Sequence, residues 1–345
     1  MIVDCIKTAF YHPVLLVLFT ATLAACQPRE DKDFRAFTSA MGQAHDYGAE
    51  TSNFQLLQEP LRPLPESLPI DEDKAALGKR LFHEVRLSAD NSISCASCHD
   101  LAAGGDDGRK VSTGVGGATG AINAPTVLNS GLNFAQFWNG RARDLKEQAA
   151  GPVLNPVEMA SNWPEVIGKL STDPVYEKRF SALYRDGITA DNITDALAEF
   201  ERSLITPSPF DQFLRGNQGA ISAQARSGYE KFKRYGCASC HQGVNVGGNM
   251  YQKFGALVAY YEDRSFNDAD RGRAAVTSNR QDLHVFKVPS LRNVARTAPY
   301  FHDGSAENLE QAIHTMAALQ LGRTLPDEDV ADIKHFLTSL SGQLP

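Results

Sequence analysis

The sequence predicts an all-α fold assembled from two related domains. Three observations predict it. Apolar residues recur at helical spacing in several stretches, the pentapeptide Cys-Ala-Ser-Cys-His occurs twice, at residues 95–99 and 237–241, and a further set of residues repeats behind each copy. Residues 71–87 open with acidic side chains, which suit the electropositive start of a helix, and carry Leu77 and Leu81 on one face. Residues 191–204 set Ile193, Leu197, Phe200 and Leu204 at helical spacing. Residues 222–235 run into the second pentapeptide as 71–87 runs toward the first. Residues 327–340 follow Pro326 and Asp327, a helix-start signal, and carry Val330, Ile333, Phe336, Leu337 and Leu340 on one stripe. No strand-like alternation competes, and the apolar stripes read as core.

The repeat extends beyond the pentapeptides. Pro125-Thr-Val-Leu-Asn129, Phe137-Trp-Asn-Gly140, Ala142 and Leu145 follow the first copy. Pro289-Ser-Leu-Arg-Asn293, Phe301-His-Asp-Gly304, Ala306 and Leu309 follow the second. The expected domains are 71–208 and 209–345, with Pro207 and Pro209 marking the break.

Cys-x-x-Cys-His is the attachment signature of a c-type haem. The two thiols become thioethers to the haem vinyl groups, and the His ligates the iron from the proximal side. One copy alone is compatible with a thioredoxin-like redox motif or half of a zinc site. Two identical copies point to two covalent haems, one on Cys95, Cys98 and His99 and one on Cys237, Cys240 and His241. Each domain is therefore expected to be cytochrome c-like. The copies differ where the chemistry is decided, which suggests a division of labour.

The 345 residues, 42% of them hydrophobic, suffice for two domains with sizeable cores. A net charge of −7 argues against nucleic acid and suits a small basic electron donor, although most acidic surfaces are simply solvated. Four of the six cysteines belong to the pentapeptides. Cys5 lies near the N-terminus. Cys26 ends Leu23-Ala24-Ala25-Cys26, behind Lys7 and the apolar run 14–19, which reads as a secretory signal closing in a lipidation site. That run is too short to span a bilayer. Residues 1–25 are thus expected to be removed and Cys26 to carry lipid, placing the chain in the periplasm, membrane-associated through the anchor alone. Gln27 is compatible with the outer membrane. A soluble periplasmic chain and an uncleaved anchor are the alternatives. Residues 26–70, polar and then Pro-rich at Pro60, Pro63, Pro65 and Pro69, are expected to form a tether.

Over residues 77–340 the chain resembles the bacterial dihaem cytochrome c peroxidases, a superfamily that includes the MauG-type dihaem enzymes. The motifs that carry the resemblance include Leu77-Gly-Lys-Arg-Leu-Phe82, Ala124-Pro-Thr-Val127, Gln136-Phe-Trp-Asn-Gly-Arg-Ala142, Glu147-Gln-Ala149, Glu158-Met159, Phe286-Lys-Val-Pro289, Leu291-Arg-Asn-Val294 and Pro299-Tyr-Phe-His-Asp-Gly304. The resemblance implies a C-terminal electron-transfer haem with His241 and Met316 as axial ligands, the Met raising its reduction potential. His314, on another helix face, ranks below Met316. It implies a peroxidatic haem on His99, with Glu158 as general base and then general acid toward hydrogen peroxide. Gln148 and Pro152 match residues lining the same pocket. Trp138 matches a Trp between the haems, where packing and electron relay are both open roles. A calcium ion held by Asn123, Thr297 and Pro299 is implied as well, oxygen ligands suiting that hard cation. The donor would be a small c-type cytochrome or a copper protein, and homodimers are usual in the family.

The chain departs from the pattern at one place. Many of these peroxidases carry a displaceable His ligand before the Pro-Thr-Val motif, and that position here is Val115. No His occurs between His99 and His241. The N-terminal haem is therefore expected to be open without reductive activation. The same absence keeps a MauG-like role in play, in which peroxide oxidises Trp or Tyr side chains of a partner protein. Those enzymes carry Tyr where this chain has Met316, which ranks peroxide reduction first. A pure electron carrier is the third reading, disfavoured by Glu158 and by the missing sixth ligand.

Overall fold

The computed structural model describes residues 59–261 and 265–344. The signal segment, Cys26 and most of the expected tether lie outside the described residues. Within them the protein is helix-rich, with little sheet. The α-helices are α1 (Glu72–Phe82), α2 (Leu145–Leu154), α3 (Trp163–Ser171), α4 (Pro174–Leu183), α5 (Ala190–Ser203), α6 (Pro209–Leu214), α7 (Ala223–Tyr235), α8 (Ala274–Thr277), α9 (Leu309–Leu321) and α10 (Asp327–Ser339). None of the described helices is long and apolar enough to cross a membrane. The departure from an all-helical expectation is a short antiparallel pair, β1 (Tyr251–Lys253) with β2 (Val285–Lys287), in the register Tyr251↔Lys287.

Helix starts follow local chemistry. Asp71 caps α1 by accepting from the Lys74 N–H at 3.1 Å, and Ser222 caps α7 by accepting from the Ala225 N–H at 3.0 Å. Pro209, placed by the sequence reading at the start of the second domain, opens α6 behind Ser208, where its missing N–H costs no intrahelical bond.

Two apolar cores form. Leu77, Leu81 and Phe82 of α1 pack with Ile193, Leu197 and Phe200 of α5 and with Val166, Tyr176 and Phe180. Tyr229 and Phe232 of α7 pack with Phe210 and with Val330, Ile333 and Phe336 of α10. Each such side chain stabilises the fold by roughly 1.5–3 kcal/mol. The helix pairs touch backbone to backbone at equivalent glycines. A Cβ at Gly78 would overlap the Ala196 carbonyl, and one at Gly228 would overlap the Asp332 carbonyl.

The sequence repeat is a backbone repeat. Asn129 and Asn293 have φ of 60° and 61°, Phe137 and Phe301 66° and 72°, Gly140 and Gly304 66° and 60°. Single bridges, Gln136↔Ala142 and Tyr300↔Ala306, close the two loops. Each loop then enters a helix through the same reciprocal cap. Asp144 accepts from Glu147 N–H at 2.8 Å while the Glu147 carboxylate accepts from Arg143 N–H at 3.0 Å. Asn308 and Gln311 repeat the arrangement at 2.9 Å each.

The halves meet at Thr206. Its buried hydroxyl accepts from the side-chain amides of both Asn129 and Asn293, each at 2.8 Å. The Asn129 oxygen accepts from the Thr206 N–H at 2.9 Å, and the Asn293 oxygen accepts from the Gly342 N–H at 2.9 Å.

The end of the expected tether is not free. Leu61 and Leu64 are fully buried, the Leu64 N–H donates to Asp211 Oδ1 at 2.8 Å, and Arg62 N–H donates to the Gly243 carbonyl at 3.2 Å. The Arg62 carbonyl accepts from Arg292, whose guanidinium is fully enclosed and paired with Asp211 at 2.8 Å. Two leucines and a buried ion pair thus hold a segment whose proline content alone suggested a free linker.

Replacing Thr206 by Val keeps the shape and removes the shared acceptor. Each buried amide donor left unpaired costs roughly 1–3 kcal/mol. Urea unfolding of Thr206→Val is expected to give an unfolding free energy lower by that amount and a correspondingly lower midpoint, with the secondary structure retained by circular dichroism.

Candidate functional site

Both pentapeptides fold into the same tight turn. His99 N–H donates to the Cys95 carbonyl at 3.0 Å, and His241 N–H to the Cys237 carbonyl at 3.0 Å. An i to i+4 bond sets the first Cys and the His on one face, as a group attached through thioethers and an imidazole requires. The His99 Nδ1 lies 3.0 Å from the Gly105 carbonyl. That contact fixes the proton on Nδ1 and leaves Nε2 as a lone-pair donor. Burial pushes the His99 pKa down, against the Gly105 carbonyl and Asp107. Burial pushes His241 down to about 4, weakly opposed by the Val246 and Pro289 main chain. Both imidazoles are therefore neutral at pH 7, the form that ligates a metal. The His241 Nδ1 is buried without a well-formed hydrogen bond.

One mostly apolar cavity of about 240 Å³ gathers most of the residues that the sequence singles out in the C-terminal half. Cys237, Cys240 and His241 form part of its wall, and α9 supplies Ile313, Met316, Ala317 and Gln320 at helical spacing. His314 faces elsewhere, 3.5 Å from Asp327. Trp138, Asn123, Thr297 and Pro299 line the same cavity. This residue set fits a covalent haem: two thiols, a neutral imidazole and a thioether sulfur on apolar walls. Among the described residues no cluster of His, Cys, Asp and Glu is suited to a metal ion.

Trp138 joins the halves. Its indole N–H donates to the Asn123 carbonyl at 2.9 Å, its own carbonyl accepts from the Lys287 N–H at 2.8 Å, and its ring lies edge-on to His302 at 6.3 Å between centroids. Asn123 donates its side-chain amide to the Arg109 carbonyl at 2.8 Å and its N–H to the His302 carbonyl at 2.8 Å.

Glu158 sits in the turn after α2. Asn155 donates to Glu158 Oε1 at 2.6 Å, and burial raises the carboxyl pKa against that bond and against the Arg141 charge. The 112–117 loop lies directly on this turn, with the Val115 N–H donating to the Glu158 carbonyl at 2.8 Å. The Glu158 charge is felt at Cys98, whose pKa burial raises most, with Ser112 opposing and Asp107 and Glu158 adding to the rise. Glu158, the loop and the first pentapeptide therefore form one neighbourhood. Gln148 and Pro152 lie on α2 of the same segment.

The duplicated frame locates an asymmetry. α2 and α9 begin at the equivalent Leu145 and Leu309, and the position of Met316 in α9 is occupied by Pro152 in α2. A sulfur that can ligate is replaced by a ring that cannot. Met159, the other methionine nearby, is enclosed in the first core at 2% exposure.

Sequence reasoning did not find Asn155, Arg141 or Lys287 as contributors. It also missed the His302 cluster, in which Nε2 lies 2.8 Å from Asp270 and 3.0 Å from the Tyr261 hydroxyl. No spacing rule flags these contacts, because each arises from chain segments brought together by the fold.

A profile of the family described as "Di-haem cytochrome c peroxidase" matches residues 72–219. "Cytochrome c peroxidase Ccp" of Escherichia coli (strain K12) is 50% identical over 305 residues, which is 88% of this chain and 65% of that protein. "Cytochrome c551 peroxidase" of Nitrosomonas europaea is 48% identical over 83% of this chain and 85% of its own. The chain belongs to the dihaem cytochrome c peroxidase family. Among solved structures, "a MauG-like protein associated with microbial copper homeostasis" superposes with a TM-score of 0.71 at 27% identity, covering 83% of this chain and 94% of the other. The chain thus spans just under two thirds of the E. coli relative and most of the others.

Gly114 lies against the same turn, since a Cβ there would overlap the Val157 and Glu158 carbonyls. Gly114→Ala is expected to displace the loop, cost about 1–3 kcal/mol of stability and reduce peroxide turnover, with haem content unchanged. Thermal unfolding and a steady-state assay on the same preparation check both effects.

Proposed function

We propose that the protein reduces hydrogen peroxide to water with electrons from a small periplasmic donor, a c-type cytochrome or a copper protein. The observation that carries the reading is the asymmetric pair of sites on one duplicated frame. One site places Met316 and His241 on the wall of the same cavity, while the other has Pro152 at the position equivalent to Met316 and Glu158 in the turn that follows. Haem, when bound at both sites, supplies one-electron redox chemistry. His99 and His241 would hold it as neutral imidazoles, with Cys95, Cys98, Cys237 and Cys240 as its covalent attachments.

The polypeptide's own contribution is proton handling and positioning. Each peroxide takes two electrons and two protons and leaves as two waters. Asn155 holds Glu158 Oε1, which leaves Oε2 to accept the proton from one peroxide oxygen and return it to the other. A carboxyl pKa raised by burial brings donor and acceptor forms closer in energy near neutral pH. Gln148 borders the same segment. Trp138 joins the two halves and is the residue we assign to the path between sites. With Val115 in the loop and no His between positions 99 and 241, we infer that the N-terminal site is open in the fully oxidised protein.

The MauG-like reading, oxidation of Trp or Tyr in a partner protein, is favoured by that same missing His. It ranks second because Met316 lines the cavity and because identity to the named peroxidases, 48–50%, exceeds the 35% to "Methylamine utilization protein MauG" of Methylorubrum extorquens. A calcium ion at Asn123, Thr297 and Pro299 is part of the proposal, supported by their common place on the cavity wall. So is lipid attachment at Cys26, supported by the Leu23–Cys26 sequence.

Glu158→Gln is expected to lower peroxide turnover by roughly 10²–10⁴-fold, the range for loss of general acid–base catalysis, with both haems retained. In the unaltered protein the base form of Glu158 is needed first. Activity should therefore fall with acidification through an apparent pKa above the ordinary carboxyl value, and that acid limb should vanish from the residual activity of Glu158→Gln. A pH–rate profile of both proteins measures this. Undiminished turnover in the variant removes Glu158 from the mechanism.

A further inference from the structure

β2 carries a side chain to which the peroxidase reading gives no task. Lys287 is 7% exposed and lines the cavity that holds His241, Met316 and Trp138. Burial alone lowers its pKa, to about 8, with no acidic side chain contributing. Arg292, the other buried lysine or arginine among the described residues, is treated differently by the fold. It has Asp211 at 2.8 Å and the Val244 and Arg62 carbonyls as acceptors. An ammonium withdrawn from water without a counter-charge is strongly disfavoured, so buried cations are normally found paired. The Lys287 backbone is held firmly, by the Trp138 carbonyl at 2.8 Å and by the pairing with Tyr251 across the sheet. The strand therefore keeps an uncompensated cation on the wall of an otherwise mostly apolar cavity.

We propose that Lys287 is the anion-binding residue of this cavity and that its ligand is a carboxylate of the group attached at Cys237 and Cys240, a haem propionate. The inference rests on the two-haem reading above. It gives Lys287 a defined electrostatic role. Reduction adds negative charge to the site, and a nearby cation favours that state. Lys287 thus acts with Met316 to hold the C-terminal site at high potential, one through charge and the other through ligation. It is a positioning and charge-compensating residue and takes no part in the proton transfers assigned to Glu158.

The test uses the full-length, haem-loaded protein and the variants Lys287→Met, Lys287→Gln and Lys287→Arg. Intact mass first counts the haems, and a spectroelectrochemical titration then gives the midpoint potential of the C-terminal haem. All four proteins are expected to carry two haems. Lys287→Arg should keep the original potential, while Lys287→Met and Lys287→Gln should shift to lower potential. The original potential should not change when chloride or phosphate is varied at constant ionic strength, because the partner is tethered. An unshifted potential in the neutral variants, with two haems present, overturns the proposal. A potential that follows added chloride or phosphate overturns the carboxylate assignment. An original protein with fewer than two haems refutes the two-haem reading instead, and does so before any variant is compared. If Lys287→Met does not accumulate, the comparison of Lys287→Gln with Lys287→Arg decides by the same criterion.

Discussion

Each half of the protein is organised around a histidine that must remain neutral and facing a fixed direction. The Cys-to-His main-chain bond of the pentapeptide turn sets its place, at 3.0 Å in both halves. Burial sets its protonation, holding His99 below its ordinary pKa and His241 at about 4. At His99 the Gly105 carbonyl also selects the tautomer. A charged imidazole could not donate a lone pair, and a mobile one could not hold a ligand in register. α7 runs directly into the second turn and brings the Phe232 ring to 6.5 Å from that of His241. The close approach at Gly78 and Gly228 lets α1 pack on α5, and α7 on α10, without an intervening side chain.

On this shared backbone frame the two halves keep a small set of residues and differ elsewhere. The loops with left-handed Asn, Phe and Gly residues, and the reciprocal caps that start α2 and α9, are the same device used twice. Thr206 binds both copies of the Asn with one hydroxyl, which ties the two halves together where one gives way to the other. What differs is what the frame presents. α9 brings Met316 to a cavity wall, whereas α2 has Pro152 in its place and leads into the Asn155–Glu158 turn. A duplicated scaffold that carries a thioether at one position and a proline ring at its equivalent presents two different sites, and the proposed separation of electron entry from peroxide chemistry rests on that asymmetry.

Much of this was legible in the sequence, and for identifiable reasons. The pentapeptides, the periodic stripes of α1, α5, α7 and α10, and the repeated Asn, Phe, Gly and Leu positions are local signals, and local signals survive in one dimension. Met316 was singled out by the family resemblance and His314 ranked below it by helix geometry; the structure sets Met316 on the cavity wall and His314 beside Asp327. Other features were illegible because they depend on segments far apart in the chain. Residues 60–64 read as linker because their prolines are visible and their partners, Asp211, Gly243 and Arg292, are not adjacent. Lys287 was quoted within a motif but carried no role, since only the enclosed cavity shows that its charge is uncompensated. The hold of Asn155 on Glu158 and the seat of the 112–117 loop on that turn likewise appear only once the chain is folded.

The central claim is that one site is permanently open while the other accepts electrons. Stopped-flow mixing of hydrogen peroxide with the fully oxidised protein, and separately with the half-reduced protein, tests it most directly. The account predicts an immediate absorbance change in the fully oxidised protein, followed by steady oxidation of a reduced cytochrome c donor. Silence in the fully oxidised protein, with reaction only after half-reduction, would contradict it, because some ligand other than a loop histidine would then be closing the N-terminal site.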